Sequence, residues 1–228
     1  WKDGKAESDR GSFLGSDLIS KKNCDNMKTQ KINPKEVRGM ALEKKEEWKT
    51  IADVEALPEG TRAELIDGEI FYNMAAPTVV HQEIVGFLTR KIGNYIESNN
   101  GKCKVYPAPF DVQLSANDKY NLVQPDVTVV CDRDKLSNGK RCIGAPDWVI
   151  EVVSPSTENN DYIRKLMKYS MAGVREYWII DPKNDRIVVY NLEMGLQAGA
   201  FDPPKTLKEK VKVNIYPELE IDFSQLEL

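Results

Sequence analysis

The chain has a single histidine, His81, in 228 residues. A metal centre built from two or three imidazoles is therefore impossible, and so is any triad that needs a second histidine. Cysteine is scarce as well. Cys24, Cys103, Cys131 and Cys142 contain no C-x-x-C pair, which excludes a zinc ribbon and a thioredoxin-type motif. No G-x-G-x-x-G or G-K-[ST] follows a strand-like run, so dinucleotide and P-loop phosphate cradles are excluded too. No apolar run approaches the roughly 20 residues of a membrane helix, and no secretory segment follows Trp1, so a cytoplasmic protein without membrane contact is expected. Strong positive charge is also missing. With 32 Lys and Arg against 36 Asp and Glu, the net charge of -4 argues against avid, sequence-blind nucleic-acid binding but allows a local basic groove. Metal chemistry, if any, must rest on carboxylates, which favours hard ions such as magnesium or manganese.

What is present is enough for a buried core: 41% of the residues are hydrophobic, in frequent short runs. They are unevenly placed. Residues 1–39 are rich in Lys, Asp, Ser and Asn, with no sustained apolar period, and read as an appendage, native or added, that the fold can do without. Residues 40–228, opening at Met40, read as one domain. Residues 1–50 hold 12 basic and 9 acidic side chains, leaving 20 and 27 to the remainder, so the body is more acidic than the whole.

From Thr50 the pattern is regular. Thr50 and Asp53 predict a helix cap, and Asp67-Gly68 between two short runs predicts a tight hairpin. Ile84, Val85, Leu88, Ile92, Tyr95 and Ile96 form one stripe of a helix from about His81 to Glu97. Strands are expected over Lys104–Leu114, Leu122–Cys131 and Asp147–Val153. A helix follows over Asp161–Ala172, then strands Glu176–Ile180, Arg186–Asn191 and Val211–Tyr216. The order helix, three strands, helix, strand indicates a mixed α/β (α+β) unit with a central mixed sheet and an added N-terminal hairpin.

Two acids stand out, because each interrupts an otherwise apolar strand: Asp126 before Val127-Thr128-Val129-Val130, and Glu151 within Trp148–Val153. A carboxylate among β-branched residues is poorly solvated and needs a partner. If the two runs pair antiparallel, the start of the first lies beside the end of the second, and both carboxylates can point to one face. Two ionised carboxylates that close repel unless a divalent ion lies between them. Equally, each could simply end its strand and bond a neighbouring amide or arginine. Lys165, on the helix that follows Glu151, could stabilise negative charge developing on a phosphate. An α-helical wheel sets it at the edge of the apolar arc, where a surface ion pair with Asp161 is the plainer account. Glu64 precedes the tight hairpin, where an exposed acid is ordinary; its functional reading is a further carboxylate at the metal. His81 sits on the apolar stripe of the long helix and reads first as a partly buried histidine, with catalysis as the alternative.

Taken together, Pro125-Asp126, Glu151-Val152-Val153-Ser154-Pro155-Ser156-Thr157, Asp161, Lys165, Tyr169, Gly173 and Val174-Arg175-Glu176-Tyr177-Trp178-Ile179-Ile180-Asp181-Pro182 resemble the Uma family. These are restriction-endonuclease-like proteins of bacteria, within the PD-(D/E)XK nuclease superfamily. Glu64-Leu65-Ile66-Asp67-Gly68-Glu69 and His81 match as well, so the likeness runs over roughly residues 45–195. The resemblance implies a restriction-endonuclease-like fold and magnesium held by Asp126, Glu151 and the backbone carbonyl of Val152. It also implies a DNA substrate and a homodimer. The superfamily pattern has lysine two residues after the second acid, where this chain has Val153, and the family suggests that Lys165 has taken over from the next helix. The enzyme reading stands beside a catalytically idle nucleic-acid-binding or protein-interaction module on the same fold.

Overall fold

In the computed structural model, which describes residues 48–72, 76–154, 160–191 and 204–226, regular structure begins at the anticipated cap. The amide and hydroxyl of Thr50 donate to the Asp53 carboxylate at 2.7 and 2.8 Å and start the short helix α1 (Ile51–Glu55). Strands β1 (Ala63–Ile66) and β2 (Glu69–Tyr72) pair antiparallel about Asp67-Gly68. The φ angles of those two residues, 52° and 74°, are the left-handed pair that a two-residue hairpin requires. The Thr78 hydroxyl accepts from the His81 amide and caps α2 (Val79–Ser98). Then come β3 (Lys104–Pro107), β4 (Val112–Gln113), β5 (Val127–Val130), β6 (Cys142–Ile143) and β7 (Trp148–Val152). A π-helical turn (Asn160–Lys165) runs into α3 (Leu166–Ala172), which stops at Gly173 with φ 86°. Strands β8 (Glu176–Asp181), β9 (Arg186–Asn191), β10 (Lys205–Leu207), β11 (Lys210–Lys212) and β12 (Glu220–Asp222) follow, and a 3-10 turn (Phe223–Gln225) comes after them.

Six strands form the central sheet in the order β10-β9-β8-β7-β5-β3, with β7 and β8 parallel and the other pairs antiparallel. The sheet is covered on both faces, which is why every residue of β7 and β8 is buried and the period-two alternation is invisible in their sequences. On one face Trp148, Ile150 and Trp178 pack against Ile84, Leu88 and Ile92 of α2. On the other, Val149, Tyr177 and Ile179 pack with Tyr169 of α3 and with Val112 and Leu114. Each fully buried branched aliphatic or aromatic side chain contributes about 1.5–3 kcal/mol. Glu176, at the start of β8, is buried among them. Trp178 Nε1 and the amides of Asn214 and Ile215 donate to its carboxylate at 2.7, 3.0 and 2.9 Å, tying the C-terminal segment to the sheet. Burial still pushes its pKa above the usual carboxylate value, with those donors pulling the other way.

Some expectations need correction. The run Lys104–Leu114 is two strands, because Pro107 and Pro109 cannot donate to a ladder; β3 joins the large sheet while β4 pairs parallel with β6 in another. Of Leu122–Cys131 only Val127–Val130 enters the large sheet, while Leu122 and Val123 make isolated bridges to Leu65 and Val112. The C-terminal strand expected at Val211–Tyr216 is the hairpin β11–β12. Cys103 and Cys131, one step beyond the Lys104–Val130 pair, form a disulfide that no cysteine spacing had indicated. Residues 1–39 lie outside the described residues.

Candidate active site

The register of β5 on β7 decides where the two acids fall. Val127 pairs with Ile150, and one step further Asp126 comes opposite Glu151 at the strand ends. The Val152 amide donates to Asp126 Oδ2 at 2.8 Å, clamping that carboxylate to the end of β7. In an extended strand the N–H and C=O of one residue point the same way, so the Val152 carbonyl faces the Asp126 side too. His81, in the first turn of α2, brings Nε2 to 3.2 Å from Asp126 Oδ1. Three elements far apart in sequence thus meet around Asp126.

Lys165 arrives from the other side. Its Nζ lies 3.0 Å from Glu151 Oε1, 2.9 Å from Glu64 Oε1 and 3.3 Å from Asp161 Oδ1, and all four side chains are at most 5% exposed. The expected i, i+4 pair with Asp161 exists, but it is buried, not at the surface. The reason is the π turn: an i→i+5 turn takes more residues than an α turn and rotates the phase of the wheel. Ile163 and Met167, which an α wheel places in the apolar arc, are each 59% exposed, while Asp161 and Lys165 turn inward. Glu64 is also a correction. The segment before the hairpin is buried along its length because Leu65 bridges to Leu122, and Glu64 Oε1 accepts from the Gln124 amide at 2.7 Å as well as from Lys165.

One further residue, Tyr169, belongs to this cluster, and Tyr177 packs behind it. The Tyr169 hydroxyl donates to Glu151 Oε1 at 2.8 Å, and Tyr177 donates to the Asp161 carbonyl at 2.9 Å. An α-helical wheel places Tyr169 in the apolar arc, and it is indeed core; four residues on from Lys165, it reaches the same strand residue. Burial pushes the Glu151 pKa well above the usual range; Lys165 opposes this, and Asp161, Asp126 and Glu64 add to it. Burial alone would lower Lys165, but Glu151, Glu64 and Asp161 outweigh it and hold the ammonium well above its ordinary value. Tyr169 is raised strongly by burial and by the negative charge of Glu151 and Glu64, so it stays a neutral donor.

Whether a cation suits these residues turns on charge and donor type. Glu64, Glu151 and Asp161 surround one lysine and Asp126 stands opposite Glu151, leaving a surplus of negative charge on hard oxygen donors. Among the described residues, no cluster of three or more His, Cys, Asp or Glu side chains could hold a metal ion. Magnesium does not require one: it is commonly bound through one or two carboxylates, with water and substrate phosphate supplying the rest. Asp126 and Glu151, with the Val152 carbonyl beside them, fit that pattern.

The fold matches the crystal structure of a putative nuclease belonging to DUF820 from Anabaena variabilis. The TM-score is 0.62, over 78% of this chain and 96% of that one, at 20% identity. At that identity the likeness establishes a shared restriction-endonuclease-like fold. None of the curated proteins matches the sequence. Residues 49–224, more than three quarters of the chain, match the Uma2 family, described as "Putative restriction endonuclease", and the chain belongs to that family.

Proposed function

We propose that this protein is a divalent-cation-dependent endonuclease that hydrolyses phosphodiester bonds in DNA. One observation carries the reading: the Lys165 ammonium is delivered to Glu151 from the following helix, at the strand ends where Asp126 also stands. Asp126, Glu151 and the Val152 carbonyl would hold magnesium or manganese. Bound there, the ion would polarise a phosphoryl oxygen and make a bound water more acidic. Lys165 supplies the positive charge beside Glu151 that the strand lacks at Val153, suited to negative charge developing on the phosphoryl oxygens. Glu64 orients Lys165, and His81 steadies Asp126. Family membership supports a nucleic-acid substrate.

The test is conversion of supercoiled plasmid to nicked and linear forms with magnesium or manganese, abolished by a chelator. Manganese binding without cleavage of any DNA or RNA would instead favour an idle binding module. Because duplex scission needs two cuts, the active form is proposed to be a homodimer. Among the described residues no helix is long and apolar enough to cross a membrane, and the proposed setting is the cytoplasm. Cys103 and Cys131 would there be kept largely as thiols, and the β3–β5 ladder they flank pairs without them over Lys104–Pro107.

Residues 1–39 are proposed to be dispensable, since the family match starts at residue 49. Deleting them is expected to leave the thermal midpoint and plasmid cleavage unchanged. A large fall in the midpoint would show that this segment packs on the domain.

A further inference from the structure

Two donors converge on one oxygen of Glu151. The Lys165 ammonium lies 3.0 Å from Oε1 and the Tyr169 hydroxyl 2.8 Å from the same atom. They come from successive turns of one helical segment, so Oε1 is held from the α3 side of the sheet. Among the described residues no donor is directed at Oε2. The Tyr169 ring is itself fixed, fully buried and edge-on to Tyr177 with ring centroids 4.8 Å apart, so its hydroxyl has little freedom to leave.

From this we infer that Tyr169 is a positioning residue of the cation site: with Lys165 it holds Oε1 of Glu151 and so presents Oε2 to the ion. The inference rests on the reading of Glu151 as a cation ligand. It deepens that reading by assigning the two oxygens of one carboxylate to different partners. Tyrosine suits the task because a neutral phenol donates without adding charge, whereas a second ammonium would cancel the negative charge that attracts the ion. Tyr169 lies too deep to touch substrate and acts only through Glu151. A hydroxyl that merely satisfied a buried acceptor would affect stability and leave cation affinity alone, and this separates the two roles.

The experiment is manganese titration of the full-length protein, followed by calorimetry and by the electron paramagnetic resonance signal of free manganese. Tyr169→Phe keeps the ring and removes the hydroxyl; manganese affinity is expected to fall about 10–100-fold, the range for loss of an outer-shell partner. Tyr177→Phe is the control, because it removes another buried hydroxyl that donates to the Asp161 carbonyl and not to Glu151. Its manganese affinity should equal that of the unmodified protein. Equal affinity in Tyr169→Phe, or equal losses in both variants, would overturn the assignment while leaving Glu151 as a ligand. No manganese binding by the unmodified protein would overturn the cation reading and this inference with it. A second measurement needs no folded variant. Magnesium binding to the unmodified protein should perturb the ultraviolet absorption of a buried tyrosine, and a flat difference spectrum at saturating magnesium would count against Tyr169.

Discussion

Lys165→Met is expected to lower folding stability by about 3–5 kcal/mol at neutral pH, the cost of breaking a buried ion pair on one side. Cleavage should disappear with it. Methionine keeps the length and much of the volume of lysine, so packing around α3 changes little. What changes is charge. Glu64, Glu151 and Asp161 all lie within 3.3 Å of the lost ammonium, and all three are buried. Chemical denaturation at low ionic strength measures the loss. Two rescues should follow from its electrostatic origin: Glu64→Gln added to Lys165→Met should recover part of the stability, and magnesium should recover part of it too. A Lys165→Met protein as stable as the unmodified chain would refute the role of Lys165 as the counter-charge of the cluster.

The pH dependence of that loss has a definite sign. Lys165 has its folded pKa raised, so its contribution is complete below the unfolded lysine value near 10.5 and is lost only as pH rises through the folded value above it. Glu151 is also raised. Its contribution is present below the unfolded value near 4.5 and is lost as pH rises through its folded value. Removing Lys165 deletes the first contribution and worsens the second. The stability gap between the two proteins should therefore already be present near pH 4.5, from the lost Lys165 contribution, and widen as pH rises toward neutrality and Glu151 ionises without its counter-charge.

The parts of this site that sequence could show were those governed by strand pairing. Asp126 and Glu151 each break an apolar run, and the antiparallel register that brings them together follows once the two runs pair. The hairpin at Asp67-Gly68 and the stripe of α2 were legible for the same reason: period and turn chemistry are local. Lys165 was a candidate from its place on the helix after Glu151, but its burial was not legible, because the π turn breaks the 3.6-residue phase on which a helical wheel depends. Glu64 could not be seen as buried, since its burial comes from Leu65 pairing with Leu122, some 57 positions away. Tyr169 was hidden by its own packing, for a tyrosine in an apolar arc reads as core until the partner of its hydroxyl is known.

Asp126→Asn should separate cation binding from folding, which no change at Lys165 can do. Asp126 lies at the margin of the buried cluster, its side chain 18% exposed, and it has two neighbours that an amide can also serve. The Asn oxygen can accept from the Val152 amide in place of Oδ2, and the Asn NH2 can donate toward His81 Nε2 in place of Oδ1. Both polar neighbours of Asp126 keep a partner, and His81 Nδ1 lacks one among the described residues with either side chain, so the thermal midpoint without added metal should move little. The lost negative charge has no substitute. An amide oxygen binds a hard divalent ion far less strongly than a carboxylate, and the repulsion between Asp126 and Glu151 that the ion relieves disappears with it. Manganese affinity should therefore fall by more than the about 10–100-fold expected when an outer-shell partner is removed, and plasmid cleavage should vanish in parallel. The pattern to look for is an unchanged metal-free midpoint, no manganese-induced rise in that midpoint, and no cleavage. Retained manganese affinity in Asp126→Asn would exclude Asp126 as a ligand. It would also move the candidate centre to the Glu64, Glu151 and Asp161 side of the cluster, where Lys165 now stands.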